Sequence, residues 1–484
     1  MSQSVDSTAS PIDSSPLFSP LKESAQLARA PLCIFDQVTR FLPQGDENHS
    51  FWWKTTGRHF ALMMYEACYP ESRQVELLLF YRFVVVPRLG LKPTSSNPNF
   101  HSRVAPGIGD GSPIGYSWRW GTGPGSKPLI RHYVEAMGPL TGTTADPLHE
   151  YAAKEMLNHL SEILSGVELP LAWRFAAHLR PVLTDEPTRQ AAGSSMLVGL
   201  QCAPDSHTIE VMAGLMTRAP SQVPQLLNTI FPQALCDAYG ATASLDGLNM
   251  VRDFLENDLH GRHLTILGTT AIDCCAAATS RFKVYVTTDT LAFNHFAAVM
   301  ALGGRKPESP QSLAQLKELW YGIKGLAADY PTELEPPLSN INDVGLSDAY
   351  NSSNNKNVNT SGVTFYFDIH PKYPFPHVKM QVDVSRHSKS DLDAIQAMIG
   401  FLKRRGQGED GQAYLNVVHG MVSENELRTC RGLQAFFAFA FKDGELDITS
   451  YFLPQCYRRF GQIQAELSPA LSPRSQRRSR FDSY

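Results

Sequence analysis

Eight stretches of the chain alternate apolar and polar residues with a period of two. They are Ile114 to Trp120, Leu129 to Glu135, Met196 to Cys202, Arg281 to Val286, Thr364 to His370, Val378 to Val384, Ala435 to Phe441 and Asp447 to Leu453. That period predicts half-buried strands. Three other segments carry apolar residues at helical spacing: Asp146 to Ser165 behind an Asp cap, Ser221 to Tyr239, and Ser390 to Arg404. Several strand pairs are followed by a helix. This order does not suit a doubly wound parallel sheet. It predicts an antiparallel sheet covered by helices. The flanks have no such pattern. Residues 1–28 are rich in Ser, Pro and Thr and are expected to be a disordered tail. Residues 466–484 include the run SPRSQRRSR and are expected to be a disordered basic tail. One folded domain is expected over 29–465, with the Asn-rich stretch from Asn340 to Ser361 as a long surface loop.

On a strand, residues i, i+2 and i+4 share a face. Arg281, Lys283 and Tyr285 therefore point one way, and Phe282, Val284 and Val286 the other. Arg131 and Tyr133 share a face. So do Thr364, Tyr366, Asp368 and His370, and likewise Lys379, Gln381 and Asp383. A polar face on an antiparallel sheet ordinarily meets water. These faces carry Arg, Lys, Tyr and Gln rather than Glu, Ser and Thr. Turned inward around a common space, they would make an anion site in which partial desolvation strengthens each contact.

Composition narrows the classes. The 484 residues are 43% hydrophobic and 19% charged, which is ordinary globular usage. A formal net charge of -4 gives no basic field for nucleic acid. The longest apolar runs are too short to span a bilayer. The Ser- and Pro-rich start lacks the charged and apolar regions of a signal peptide. A cytoplasmic protein with reduced thiols is expected, with no membrane or nucleic-acid partner and a monomeric or homodimeric state. The eight cysteines show no CxxC or zinc spacing. No DDxxD-like carboxylate cluster is present that would hold magnesium against a diphosphate.

An ordered series of motifs carries a resemblance. FWWKTTGRHFALMMYEACYP is followed by FVVVPRLG, PIGYSWRWG, IRHYVEAMGPLTG and DPLHEYA. RFKVYV and LGGR come next, then FYFDIHPKYPFPHVKMQVDV and AFFAFAFKDGELDITSYF. Together, from about Phe51 to Tyr457, they resemble the fungal aromatic prenyltransferases of the dimethylallyl-tryptophan-synthase type. The resemblance implies a single antiparallel β-barrel of about ten strands surrounded by α-helices, the ABBA prenyltransferase barrel. It implies transfer of a prenyl group inside that barrel from its diphosphate to an aromatic small-molecule acceptor, with no metal and no cofactor. By motif it assigns the prenyl diphosphate to Arg131, Arg281, Lys283, Tyr285, Lys379, Gln381 and Tyr451. The chemistry of these side chains agrees. Arg and Lys neutralise a leaving diphosphate, and Tyr faces stabilise an allylic cation and exclude water.

The pattern is broken in places. Indole-prenylating members carry a glutamate where this chain has Gly115, so no catalytic residue is assigned and Gly115 becomes an acceptor-pocket position. A bulkier, polycyclic phenolic acceptor of polyketide type is the preferred expectation. Gly115 merely relieving packing, with an indole anchored elsewhere, is the alternative. The usual Lys-x-Tyr pair is Met212 and Gly214 here, and Phe436 stands at a usual tyrosine position, which leaves dimethylallyl or geranyl as possible donors. His132, His370 and His377 are proton-acceptor candidates by residue type alone. Asp368 and Asp383 are candidates to orient an acceptor hydroxyl. Trp52 and Trp53 are expected in the core or at the rim. A non-catalytic barrel that captures small molecules is the reading from another class.

Overall fold

The computed structural model describes residues 32–94, 110–121, 126–179, 194–217, 220–240, 244–306, 308–337, 361–370, 373–429, 431–461 and 463. Both tails (1–28 and 466–484), the domain limits at 29 and 465, and the Asn-rich segment up to residue 360 lie outside the described residues.

Ten strands form one closed antiparallel barrel: β1 (Ile114–Arg119), β2 (Leu129–Val134), β3 (Met196–Cys202), β4 (Ile209–Met216), β5 (Leu264–Asp273), β6 (Phe282–Thr288), β7 (Val363–Ile369), β8 (His377–Asp383), β9 (Gln434–Lys442) and β10 (Glu445–Phe452). Each strand pairs with its sequence neighbours, and β1 closes the ring on β10 through Tyr116–Phe452 to Arg119–Thr449. Closure leaves no free edge. It also forces the two strand faces to different fates, one into the lumen and one onto the helices.

The outward face is the apolar one. Phe282, Val284 and Val286 of β6, Phe365, Phe367 and Ile369 of β7, and Val378, Met380 and Val382 of β8 are at most 3% exposed. Burying each such side chain contributes roughly 1.5–3 kcal/mol. Several surrounding helices send a ring onto this surface. Phe175 of helix Pro170–Leu179 and Phe231 of helix Phe231–Tyr239 lie 5.4 and 5.7 Å from Phe282, centroid to centroid. Phe296 meets Phe365 at 5.9 Å, Phe254 meets Phe367 at 6.2 Å, and Tyr414 stacks on Phe452 at 5.4 Å. Trp52 and Trp53 belong to this core.

Eight of the ten strands coincide with the period-two stretches to within two residues at each end. The other two, β4 and β5, were not expected. β5 reads LTILGTTAID and its register shifts between Ile266 and Thr270, so no clean alternation survives. Asp146 accepts from Glu150 N at 2.8 Å in the turn ahead of the helix, but the regular helix runs only over Tyr151–Ile163, and its N-cap is Glu150 without a side-chain cap. The Ser221 to Tyr239 segment is a regular helix only from Phe231. A π-type turn over Leu226–Ile230 precedes it.

One latch ties a helix to the barrel. Ser390 caps helix Asp391–Arg404 by accepting from Asp393 N at 3.1 Å. The buried Asp391 carboxylate accepts from the backbone N–H of Gly432, Leu433 and Gln434 at 3.2, 2.9 and 3.3 Å, where β9 begins. Burial pushes its carboxyl up to about 7, against the pull of those donors. Asp391→Ala strands buried N–H groups at ~1–3 kcal/mol each. It is expected to lower the unfolding free energy by roughly 2–4 kcal/mol, and Asp391→Asn by less. Urea denaturation checks this. A midpoint for Asp391→Ala equal to wild type would remove the latch from the account.

Candidate functional site

The lumen face is the polar one, and its residues retain exposure inside a ring whose outer face is sealed. Arg131, Tyr133, Tyr285, Asp368, Gln381 and Tyr451 are half-buried, and the Arg281 side chain keeps 42% of its surface. Their open surface therefore faces the lumen.

Register sets the arrangement. Tyr285 of β6 lies opposite Tyr366 of β7, which lies opposite Lys379 of β8. The Tyr285 and Tyr366 rings are 5.1 Å apart. Arg131 of β2 shares its face with Tyr133, whose ring is 5.7 Å from that of Tyr451 on β10. Burial works against the Arg131 charge. The phenols of Tyr133, Tyr451 and Tyr366 around it outweigh that and hold the guanidinium above its ordinary range. Burial, first, and then their nearness to other phenols keep Tyr285, Tyr366 and Tyr451 protonated well above the usual phenol range. Arg131 is also close enough to Arg281 and Lys379 to disfavour their charges. Six of the expected residues, Arg131, Arg281, Lys283, Tyr285, Lys379 and Tyr451, thus surround one space. Gln381 is on the same face but further along β8, opposite Thr364 and Ala438.

Carboxylates interleave the cations. Asp273 at the end of β5 accepts from Arg281 Nε at 2.6 Å and lies 3.4 Å from Lys283 Nζ. Burial works against this carboxylate, but Lys283 and Arg281 hold it below the usual range. Asp368 binds Arg281 from the other side at 3.1 Å through Oδ2. Its Oδ1 is buried with no hydrogen-bond partner among the described residues. Asp447 binds Arg119 at 2.8 Å and faces Lys379 at 3.9 Å. Lys379 also donates to Thr449 Oγ1 at 3.1 Å. Burial brings the Lys379 ammonium down to about 8, with Asp447 opposing and Arg131 and Arg119 assisting.

Site selection from sequence missed Asp273, Asp447, Arg119 and Gln201, and left Tyr133 and Tyr366 out of the assigned set. Asp447 is four residues before Tyr451 and Arg119 four after Gly115, so the period of two pointed at both. Asp273 sits on β5, the strand without a legible period.

Of the four remaining candidates, one points away from the lumen, one is engaged as a cap, and two lie at strand ends. His132 points outward. It packs 4.1 Å from the Phe60 ring, burial lowers it to about 3, and neither ring nitrogen has a hydrogen-bond partner among the described residues. It cannot take a proton in the lumen. Asp383 is occupied as a cap, accepting from Ser385 N and Oγ at 3.0 and 2.7 Å and pairing with Arg386 at 3.2 Å. His370 lies just beyond β7 beside the Tyr373 ring, at 4.7 Å. His377, at the start of β8, is exposed.

The departures are visible as shape. Met212 lies across Gly199, where a Cβ would come 2.8 Å from its Cε, and its Sδ accepts from Lys283 Nζ at 3.4 Å. With Leu197 and Met216 on the same face, this end of the β3–β4 pair is apolar, while Gln201 and Glu210 share the face toward its other rim. A Cβ at Gly115 would lie 3.2 Å from Leu453 Cδ2 and 3.3 Å from Phe452 O, so a longer side chain fits only if Leu453 gives slightly. Phe436 faces Tyr451 with centroids 6.3 Å apart. Among the described residues no group of three or more His, Cys, Asp or Glu is placed to hold a metal ion, and no helix is long and apolar enough to cross a membrane.

The sequence profile of the tryptophan dimethylallyltransferase family matches residues 48–417. Prenyltransferase vrtC of Penicillium aethiopicum is 69% identical over 461 residues, covering 94% of this chain and 95% of that protein. Prenyltransferase nscD of Neosartorya fischeri is 48% identical over 454 residues, covering 93% and 96%. Among solved structures, AnaPT from Neosartorya fischeri superposes with a TM-score of 0.69 at 18% identity, covering 87% of this chain and 97% of its own. NotF in complex with brevianamide F and DMSPP gives 0.69 at 19%, covering 87% and 98%.

The lumen geometry makes a pH prediction. Lys379 is a cation below about pH 8 and neutral above it, so it attracts an anion only on the acid side. Titration of inorganic diphosphate should show its affinity falling by roughly three- to tenfold as pH rises through that value. Lys379→Arg should shift the fall to much higher pH. A wild-type profile identical to that of Lys379→Met would remove Lys379 from the anion site.

Proposed function

This chain belongs to the tryptophan dimethylallyltransferase family of fungal aromatic prenyltransferases, and on that premise we propose that it transfers a dimethylallyl or geranyl group to a polycyclic phenolic acceptor, without a metal. The observation that carries the proposal is the convergence of Arg131, Arg281, Lys283 and Lys379 with Tyr133, Tyr285, Tyr366 and Tyr451 on one lumen. Positioned cations stabilise the charge that develops on a leaving diphosphate, and a low-dielectric surround makes each worth more than in water.

The allylic C1–O bond breaks, and its electron pair leaves on the diphosphate oxygen held by the Arg and Lys groups. The phenol faces lie beside the resulting allylic cation and keep water from capturing it. A nucleophilic atom of the acceptor then forms the new bond to the prenyl group, and the proton the acceptor loses passes to the released diphosphate. Asp368 Oδ1 is the proposed partner for the acceptor hydroxyl. It is a buried carboxylate oxygen in the lumen with no donor on it among the described residues, and a phenol O–H supplies one. Gly115 supports the acceptor class, because no carboxylate stands there to take an indole N–H. The family's own description, tryptophan dimethylallyltransferase, favours an indole as the second reading.

Incubation with labelled dimethylallyl and geranyl diphosphates and a panel of phenols and indoles, with and without EDTA, tests the proposal. Phenol products that survive EDTA are expected. Turnover of indoles alone would overturn the acceptor class, loss with EDTA would overturn the metal-free reaction, and binding without turnover would favour a capture barrel. Arg281→Ala and Lys283→Ala should each lower kcat/KM roughly 10- to 100-fold while the fold, read by circular dichroism, is kept. Gly115→Glu should cut kcat/KM for bulky phenols about tenfold with little change in donor KM. Unchanged kinetics would take Gly115 out of the acceptor pocket.

A further inference from the structure

The lumen cations are not held alike. Arg281 has two carboxylates, Asp273 and Asp368, Lys283 has Asp273, and Arg119 and Lys379 share Asp447. Among the described residues, Arg131 is the one cation of this cluster without a carboxylate at ion-pair distance. Its Nε donates instead to Gln201 Oε1 at 2.5 Å, directly across the β2–β3 pair. Gln201 in turn donates its Nε2 to the Glu210 carboxylate, across the β3–β4 pair at the exposed rim. A guanidinium only donates and a carboxylate only accepts. An amide joins the two, its oxygen toward one and its nitrogen toward the other.

We propose that Gln201 is a positioning residue for the prenyl diphosphate: its amide fixes Arg131 from β3 without neutralising it, and Glu210 fixes the amide. The inference rests on the reading of the lumen as a diphosphate site. Its physical content is a division of labour. Cations paired to carboxylates must exchange those partners, at least in part, to engage an incoming anion. A cation held by a neutral dipole offers its full charge with its geometry already set. Arg131 stands among Tyr133, Tyr366 and Tyr451, so the charge kept free is beside the phenols that would face the allylic group.

The test separates charge from packing. Gln201→Glu keeps an acceptor on Arg131 Nε but adds a negative charge. Gln201→Met keeps the volume and removes the hydrogen bond. Arg131→Ala serves as the control. Inorganic diphosphate affinity and donor KM are measured for all three, with kcat alongside. The expected order is that Gln201→Glu weakens diphosphate and raises donor KM about tenfold or more, Gln201→Met does so by a smaller factor, and kcat changes less than KM in both. A residue with only a structural role would give the reverse order or no difference, because the glutamate keeps the hydrogen bond that methionine loses. That result overturns the inference while leaving the diphosphate site standing, provided Arg131→Ala weakens diphosphate. Unchanged affinity in Arg131→Ala would overturn the site reading and the inference with it.

Discussion

Positive charge inside a closed barrel is the constraint around which the rest of this protein is arranged. An unpaired ion taken out of water costs several kcal/mol even after relaxation. Here Arg119, Arg281, Lys283 and Lys379 share three carboxylates, Asp273, Asp368 and Asp447, set on strands β5, β7 and β10. One of the pairs, Arg119 with Asp447, spans the β1–β10 seam, so it exists only when the ring is closed. Closure and charge placement therefore support each other. The apolar outer face, sealed by Phe175, Phe231, Phe254 and Phe296 from the helices, supplies the burial that offsets the charged interior.

The same closure converts a one-dimensional pattern into a chamber. A period of two says only that alternate side chains share a face, and it cannot say whether that face meets water or a lumen. That is why Arg131, Arg281, Lys283, Tyr285 and Lys379 could be grouped by face in the sequence but needed the family resemblance, which alone supplied Tyr451, to be placed on one interior. β5 escaped notice because its Gly–Thr–Thr centre and shifted register hide the alternation, and Asp273 went with it. His132 misled for the opposite reason. It lies next to Arg131 in sequence, and adjacency on a strand guarantees the other face, under Phe60 and Tyr81. Asp383 did face the right way, but the short helix that begins just after it claims both of its oxygens.

The departures from the indole pattern act together. Met212 and Gly214, with Leu197 and Met216 beside them, leave one end of the β3–β4 sector apolar, while the cations and phenols occupy the strands around it. Met212 fills the space over Gly199 and touches Lys283 through sulfur, a soft contact that neither neutralises the ammonium nor competes for its donors strongly. A lumen with one charged side and one apolar side suits a donor and an acceptor lying against each other, the anionic end of the one and the rings of the other each meeting the wall that fits it.

The most direct measurement is a crystal structure of the protein soaked with a dimethylallyl thiolodiphosphate, whose sulfur bridge resists cleavage. The account predicts its diphosphate oxygens within hydrogen-bond distance of Arg131 and Lys283, and its allylic carbons against the rings of Tyr285, Tyr366 and Tyr451. Density for the analogue on the outer surface, or in the lumen beyond the reach of Arg131, would contradict it.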